Sequence, residues 1–316
     1  MNNNTKKISI ISPCYNEEDN VRYCYEVVKD LFDNELSQYD CEHIFVDNCS
    51  VDSTVEILRE IASSDNNIKV IINARNFGLF RSTFNGLQYV SGDALLVMLP
   101  VDLQDPPDML PEFVRLWESG YDVVAGVRTN RQEGVLIRNM RKLFYKIVNK
   151  FAGFYIPENV GEFQLIDRKV LNQVLKFNDH YPYIRGIIAA CGYKRILVPY
   201  VWKARKHGLS KIRLYELIDQ ALNGILSFSN VPMRLCTLTG FTLSTLCLFY
   251  GLISLTVYLF NPEVVPRGNI SIIVGLFFLF SLQLAFIGLL GEYIASVHSQ
   301  VRRGPLVIEK EKINVD

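Results

Sequence analysis

Two carboxylates three residues apart, Asp102 and Asp105, follow a short apolar run in the stretch Val97-Met98-Leu99-Pro100-Val101-Asp102-Leu103-Gln104-Asp105-Pro106-Pro107. The run, Ala94 to Leu99, suits a strand buried on both faces and is too short for a core helix. Pro106-Pro107 prevents the backbone from continuing that strand. Both carboxylates therefore fall at its carboxyl end, which in an open α/β sheet is where ligands bind. Hard divalent cations such as Mg2+ or Mn2+ choose oxygen ligands and commonly bridge a few carboxylates to the phosphates of a substrate. The local chemistry is that of a metal-diphosphate site. A solvated turn rich in Asp and Pro is the alternative for this stretch alone.

The elements needed to position such a site are legible on either side. Ile8 to Ser12 reads as a first buried strand, and Pro13-Cys14-Tyr15-Asn16-Glu17-Glu18 as the loop opening a helix through Val27, Val28 and Leu31, with acidic residues at its start. His43 to Val46 reads as a second strand. It ends in Asp47-Asn48-Cys49-Ser50-Val51-Asp52-Ser53-Thr54, where Ser53 or Thr54 can cap the next helix. Lys69 to Ile72 is a third strand, ending in Asn73-Ala74-Arg75-Asn76-Phe77-Gly78. Strands alternating with helical patterns give βαβ units and an α/β, Rossmann-like, mostly parallel sheet. Each strand ends in polar residues on one edge.

The remaining composition points to a membrane. In 316 residues, 49% are hydrophobic, which is high for a wholly soluble protein. Leu235 to Phe260 and Ile270 to Gly291 contain no charged residue, and each is long enough to cross a hydrocarbon layer of roughly 30 Å. With only residues 261–269 between them, they read as a two-helix transmembrane hairpin; a buried helical pair is the alternative. Arg234 precedes the first span and Arg302 and Arg303 follow the second, while the turn has only Arg267. Positive residues mark cytoplasmic ends, so both termini are expected in the cytosol. Residues 1–7 show no apolar signal region, in keeping with a catalytic domain on the cytoplasmic side. Seven cysteines without CxxC spacing fit reduced thiols, and zero net charge gives no sign of a nucleic-acid partner.

The motifs carry a resemblance. Ser12 to Glu18, Val46 to Thr54, Arg75-Asn76-Phe77-Gly78 and Asp102-Leu103-Gln104-Asp105-Pro106-Pro107 resemble the successive motifs of family 2 glycosyltransferases of the GT-A fold. Arg185-Gly186, Arg205 to Lys211, Ser227 to Leu235 and Gly291-Glu292-Tyr293 resemble the membrane-anchored polyprenyl-phosphate glycosyltransferases, the group of dolichyl-phosphate mannose synthase and GtrB-like enzymes. Three positions depart from the family pattern. Pro100 stands at the first position of the usual Asp-x-Asp, Asn48 at the second of a usual Asp pair, and Gly161-Glu162-Phe163-Gln164 where relatives often carry Gly-Asp-Phe-Arg.

The resemblance implies inverting transfer of a sugar from a UDP- or GDP-linked donor to polyprenyl phosphate at the cytoplasmic membrane face. It implies Mg2+ or Mn2+ on Asp102, where the ion would neutralise the diphosphate leaving group. A phosphate monoester has its second pKa near 6, so the acceptor is largely dianionic at neutral pH and needs little general-base help. By the same resemblance the catalytic residues are Asp102, Asp105 and Glu162, the last either orienting the nucleophile or forming an ion pair. Pro13, Tyr15, Asn16, Glu17, Asp47, Asn48, Ser50, Arg75 and Gln104 bind the nucleotide sugar. Arg128, Arg131, Arg205, Ser210 and Lys211 meet the acceptor phosphate, for which planar guanidiniums are well suited.

The expected organisation is a catalytic domain over 1–210, amphipathic juxtamembrane helices over 211–234, a hairpin over 235–297 and a cytoplasmic tail over 298–316. Apolar residues from Ile212 to Leu226 recur at helical spacing, which suits a helix lying in the headgroup plane or one packed on the sheet. The basic run Arg138 to Lys150 reads as a solvated face or a contact to anionic lipid. Homo-oligomer formation is compatible with the sequence and not specified by it. Competing functions are a processive polysaccharide synthase, whose Arg-Trp acceptor motif is missing here, and a membrane-bound nucleotide-binding scaffold whose catalysis lapsed with Pro100.

Overall fold

The computed structural model describes residues 5–129, 157, 159–177, 179, 182–202, 231–260, 269–301 and 304–315. The chain forms two compact units, one from Met1–Gly224 with Arg303–Asp316 and the other from Ile225–Arg302.

The first unit is built on β1 (Lys7–Cys14), α1 (Val21–Asn34), β2 (Asp40–Asp47), α2 (Thr54–Ser64), β3 (Ile68–Asn73), α3 (Leu79–Gly86), β4 (Ala94–Leu96), α4 (Leu110–Glu118), β5 (Val123–Arg128), β6 (Val160–Asp167), α5 (Arg168–Val174), α6 (Ile184–Ala190), β7 (Arg195–Tyr200) and β8 (Glu309–Ile313). The strands make one eight-stranded sheet in the order β7-β5-β6-β4-β1-β2-β3-β8. Strands β3, β2, β1 and β4 run parallel; β6 is antiparallel to both β4 and β5, and β7 is parallel to β5. The expected α/β, mostly parallel sheet is what the chain forms.

Strand direction decides which residues meet. The chain steps outward from β1 to β3 and then returns to the other side of β1 for β4, so a crevice opens between the carboxyl ends of β1 and β4. Because β6 runs the opposite way, its first residues lie on the same edge as the last residues of β5 and β7. Seven strands thus deliver side chains to one rim. Beneath it, Ile8, Ile10, Phe45, Val70 and Leu96 pack with Val28 and Leu31 of α1, Leu58 of α2 and Phe113 of α4 in a continuous core. These strands read as apolar runs because helices cover them.

Local details differ from the sequence reading. Strand β4 pairs only over Ala94–Leu96, although Val97 to Leu99 stay buried and extended contacts continue through Val97 N to Gln164 O and Leu99 N to Ile11 O. Helix α1 begins at Val21 with no acidic residue in its first turn, because Glu17 closes a turn ahead of it and its carbonyl accepts from Asn20 and Val21. Neither Ser53 nor Thr54 caps α2 with its side chain. Asp52 does the work instead, its Oδ1 accepting from Thr54 N at 3.1 Å and from Thr54 Oγ1 at 2.5 Å. A carboxylate that reaches a backbone N–H and a hydroxyl together outcompetes a hydroxyl cap.

Residues 309–313 do not form a free tail. They add β8 antiparallel to β3 at the edge of the sheet.

The second unit contains α7 (Val231–Phe260) and α8 (Asn269–Val301). Large apolar side chains are exposed along both, among them Phe241, Phe249 and Ile253 on α7 and Phe280, Leu284 and Ile287 on α8. Among the described residues one helix is long and apolar enough to cross a membrane, through the window Phe278–Ala295 with mean hydropathy 1.7. The juxtamembrane stretch 211–230, the basic run 138–150 and most of the turn 261–269 lie outside the described residues.

Candidate functional site

The loops after β1 and β2 lock together around Asp47. This carboxylate is fully buried, accepting from Ser50 N at 3.0 Å and from the Ser50 hydroxyl. Burial pushes the Asp47 carboxyl above its ordinary value, and the Ser50 hydrogen bonds act against that. The Ser50 hydroxyl also accepts from Asn16 N at 2.8 Å, and Asn16 Oδ1 accepts from Val51 N at 2.9 Å. One residue on, Glu17 N donates to Thr54 Oγ1 at 2.9 Å. Pro13 and Cys14 end β1 and are buried, and Tyr15 follows as an exposed ring. Asn16 (φ 53°), Cys49 (φ 67°) and Leu103 (φ 51°) all hold left-handed backbone at this rim. For Cys49 and Leu103 such geometry costs about 1–3 kcal/mol each, and strain of this kind collects at functional sites.

Asn48 organises the next loop. Its Oδ1 accepts from Phe77 N at 2.9 Å, Ser82 Oγ at 2.9 Å and Asn73 Nδ2 at 3.2 Å, while its Nδ2 donates to Asn76 Oδ1 at 2.7 Å. The amide is thus spent on the 73–82 segment. An aspartate could accept the same three donors but could not donate to Asn76, which already accepts from Gly78 N at 2.9 Å. The segment held this way presents the exposed Arg75, its guanidinium 3.9 Å from the Phe77 ring centre and its Nη1 donating to Asn76 O at 3.2 Å.

After β4 the two carboxylates part. Asp102 is nearly buried and accepts from Gln104 N at 3.3 Å. Asp105 is fully buried, and Arg128 Nη2 donates to its two oxygens at 3.1 and 3.0 Å. Tyr200 OH donates to Asp105 Oδ1 at 2.5 Å and accepts from Arg128 Nε at 2.9 Å. Burial works against the Arg128 charge, but the Asp105 carboxylate and the Tyr200 hydroxyl together more than offset it and leave the guanidinium pKa raised; burial and then Asp105 push the Tyr200 hydroxyl up. Gly126 makes room for this triad, since a Cβ there would sit 2.8 Å from Tyr200 Cε1 and 2.9 Å from Phe163 Cδ1. Sequence reasoning placed Asp105 among catalytic groups and Arg128 among acceptor cations. The structure pairs the two, and their ion pair ties the loop after β4 to the ends of β5 and β7, a pairing invisible in sequence because 23 positions separate them.

Glu162 is buried near the start of β6, with Arg185 Nε 3.8 Å from its Oε1. That contact is an ion pair too long for a hydrogen bond, and Glu162 Oε1 has no hydrogen-bond partner among the described residues. Arg185 also lies 4.7 Å from the Tyr183 ring centre. Arg131, Arg205, Ser210 and Lys211 lie outside the described residues. Tyr200 and the loop-holding Asn73 and Ser82 were not singled out by sequence, and no local signal marks them.

The donor set fits an ion shared with a substrate better than a caged one. Among the described residues no group of three or more His, Cys, Asp or Glu side chains could hold a metal, Asp105 is committed to Arg128, and Pro100 offers no ligand. A cavity of about 280 Å3 beside Asp102 and Leu103 is lined also by Asp30, Glu35 and Asp108. That cavity opens against α1 and includes no residue of the Asp47 or Arg75 loops. One carboxylate completed by substrate phosphates is an ordinary Mg2+ arrangement, so Asp102, with the Gln104 carboxamide nearby in the loop, fits a divalent ion.

Residues 9–175 match the family model described as "Glycosyl transferase family 2". The "SfII prophage-derived bactoprenol glucosyl transferase" of Shigella flexneri is 35% identical over 308 residues, covering 96% of this chain and 98% of that protein. The "Prophage bactoprenol glucosyl transferase homolog" of Escherichia coli is 34% identical over 306 residues, with the same coverage of 96% and 98%. Among solved structures, glucosyl-3-phosphoglycerate synthase from Mycobacterium tuberculosis in complex with Mn2+, UDP and glucosyl-3-phosphoglycerate aligns with a TM-score of 0.50 at 20% identity, over 71% of this chain and 80% of that one.

Proposed function

The chain belongs to glycosyl transferase family 2, and we propose that it transfers a sugar, with inversion, from a UDP- or GDP-linked donor to the phosphate of a polyprenyl lipid at the cytoplasmic face of a membrane. The observation that carries this reading is the length of the likeness. Relatives named bactoprenol glucosyl transferase match 96% of the chain, the apolar helices included.

In this reading the donor lies across the carboxyl ends of β1 to β4. Pro13, Tyr15, Asn16, Glu17, Asp47 and Ser50 form the nucleotide wall, and Asn48 holds the loop from which Arg75 meets the diphosphate. A divalent cation, Mg2+ or Mn2+, held by Asp102 beside Gln104 would neutralise the leaving diphosphate. Asp105, Arg128 and Tyr200 fix the height of the Asp102 loop. Arg128 Nη1 makes no hydrogen bond among the described residues, which leaves one edge of the guanidinium for the acceptor. Glu162 and Arg185 orient the acceptor phosphate, with Arg131, Arg205, Ser210 and Lys211 supplying further contacts. The dianionic phosphate attacks without a dedicated base.

Connectivity supports the hairpin. Strands β7 and β8 share one sheet although α7 and α8 lie between them in sequence, so the intervening chain begins and ends on one side of any bilayer. Crossings must be even in number. If the apolar window of α8 spans, α7 spans as well, and the 261–268 turn faces the other compartment. Residues 1–210 then form the catalytic domain, 211–234 the juxtamembrane part and 235–297 the hairpin, with the strand in 298–316 returning to the catalytic domain.

The test is to offer UDP- and GDP-sugars to the purified chain in detergent with a short polyprenyl phosphate. Lipid-linked sugar formed from one donor supports the reading; nucleotide release indifferent to the lipid contradicts it.

A further inference from the structure

We propose that the C-terminal strand β8 is a working part of the donor site, positioning the Arg75 loop through Ile308 and Glu309. This rests on the reading that Arg75 meets the nucleotide sugar.

The contacts converge on that loop from outside the sheet. Ala74 N, the amide immediately before Arg75, donates to Ile308 O at 2.8 Å. The next residue, Glu309, pairs with Asn73 in the ladder, at a point where the β3 register shifts between Ile72 and Asn73. Its carboxylate Oε1 accepts from Asn85 Nδ2 at 2.6 Å and from Tyr89 OH at 2.6 Å. Asn85 lies in the last turn of α3, the helix that the Arg75 loop enters at Gly78, so β8 holds the start of the loop directly and the helix that follows it from its far end. Burial and the Glu309 carboxylate push the Tyr89 hydroxyl up to about 12. The inner side of the same loop is held by Asn48, as described above.

The rest of β8 is a clamp on the scaffold. Arg59 of α2 pairs with Glu311 at 2.5 Å, and Asn314 Nδ2 donates to Ala62 O at 2.8 Å and Ile68 O at 2.9 Å. These contacts set the strand's register, whereas Ile308 O holds the loop at Ala74 and the Glu309 carboxylate holds the end of α3 and Tyr89 behind it. With an exposed arginine at its tip, the loop depends on both flanks for a defined position, and an arginine one ångström out of place binds a diphosphate less well.

A scaffold role and a positioning role make different predictions. If β8 only stabilises the sheet, Glu309→Ala lowers the unfolding temperature and leaves the affinity of folded protein for nucleotide untouched. If it positions Arg75, the dissociation constant rises in folded protein well below that temperature. The full-length chain in detergent is titrated calorimetrically with UDP and with GDP, as wild type, Glu309→Ala, Glu309→Gln and Arg75→Ala. We expect Glu309→Ala to weaken binding of the accepted nucleotide about three- to tenfold, the loss of one or two hydrogen bonds that fix α3 behind the loop. Glu309→Gln, which keeps an acceptor oxygen for Asn85 and Tyr89, restores most of it, and the lipid dependence of transfer stays as in wild type. Unchanged affinity in Glu309→Ala overturns the proposal. When Arg75→Ala still weakens binding, that failure belongs to β8 alone; when Arg75→Ala has no effect, or wild type binds neither nucleotide, the donor-site reading fails and this inference falls with it.

Discussion

Arg128 and Asp105 meet through two hydrogen bonds of 3.1 and 3.0 Å, with the carboxylate wholly buried. The pair joins the loop that carries Asp102 to the far half of the sheet, and Tyr200 completes it. Breaking a buried pair from one side strands the other charge and costs about 3–5 kcal/mol. Arg128→Met and Asp105→Asn should each lower stability by that order, while the double variant should lose less than the sum. Denaturant unfolding in a double-mutant cycle measures the coupling, and additive losses would mean the two groups do not stabilise one another.

A second prediction concerns Asn48. Its truncation to Ala leaves the buried Ser82 hydroxyl and Phe77 N without an acceptor, while Asn73 Nδ2 keeps only Ser82 Oγ at 2.9 Å. Unsatisfied buried donors cost about 1–3 kcal/mol each. Asn48→Ala should therefore destabilise by about 3 kcal/mol, and Asn48→Asp by less, since it keeps the acceptor and loses only the bond to Asn76. Equal losses for the two variants, measured by urea unfolding, would assign the stabilisation to the Asn76 bond instead.

On the acid side, His43 is a clear source of pH dependence in stability. Its ring is fully buried in β2, Nε2 is 2.7 Å from Ser12 Oγ, and the ring packs 4.1 Å from Phe45 between centroids. Burial lowers its pKa from 6.5 to about 3. Below pH 6.5 the unfolded chain binds a proton that the folded chain refuses, so His43 contributes fully above that pH. Its contribution falls as pH drops from 6.5 toward 3, by about 1.4 kcal/mol per pH unit. His43→Gln should flatten the acid side of the stability profile between pH 6.5 and 5 relative to wild type. Parallel profiles would show that His43 is not the group that titrates.

Much of this was readable in advance for physical reasons. Strands β1, β2 and β3 announce themselves as apolar runs ending in polar residues, and the crevice at their carboxyl ends follows from topology. What sequence could not supply was pairing at a distance. Asp105 and Arg128 each look functional alone, and only the antiparallel placement of β6 between β4 and β5 makes them partners. Strand β8 was unreadable for another reason: Glu309-Lys310-Glu311-Lys312-Ile313 is nearly all charged, and it is held by side-chain contacts to Arg59, Asn85 and Tyr89 that no hydrophobic pattern encodes. The cap of α2 went to Asp52 rather than Ser53 because a carboxylate one position earlier reached both donors of Thr54.

Topology offers a fourth prediction. Tags before Met1 and after Asp316 should both be reachable only from the cytosol, and a cysteine at 266 only from outside. A C-terminal tag labelled from outside would place β8 across the membrane from the sheet it completes, and the hairpin would be wrong.

The central claim is that Asp102 stands at the reacting centre of a lipid-directed sugar transfer. Asp102→Asn keeps the side chain's shape and removes the charge that would hold a divalent ion. The measurement is the rate of sugar transfer from the preferred nucleotide sugar to a short polyprenyl phosphate, compared between wild type and Asp102→Asn at matched folded fraction, with and without a chelator. Transfer should fall at least a hundredfold in the variant, the order expected when a principal stabiliser of developing charge is lost, and chelator should abolish it in wild type. Transfer at the wild-type rate in Asp102→Asn would remove this carboxylate from the chemistry.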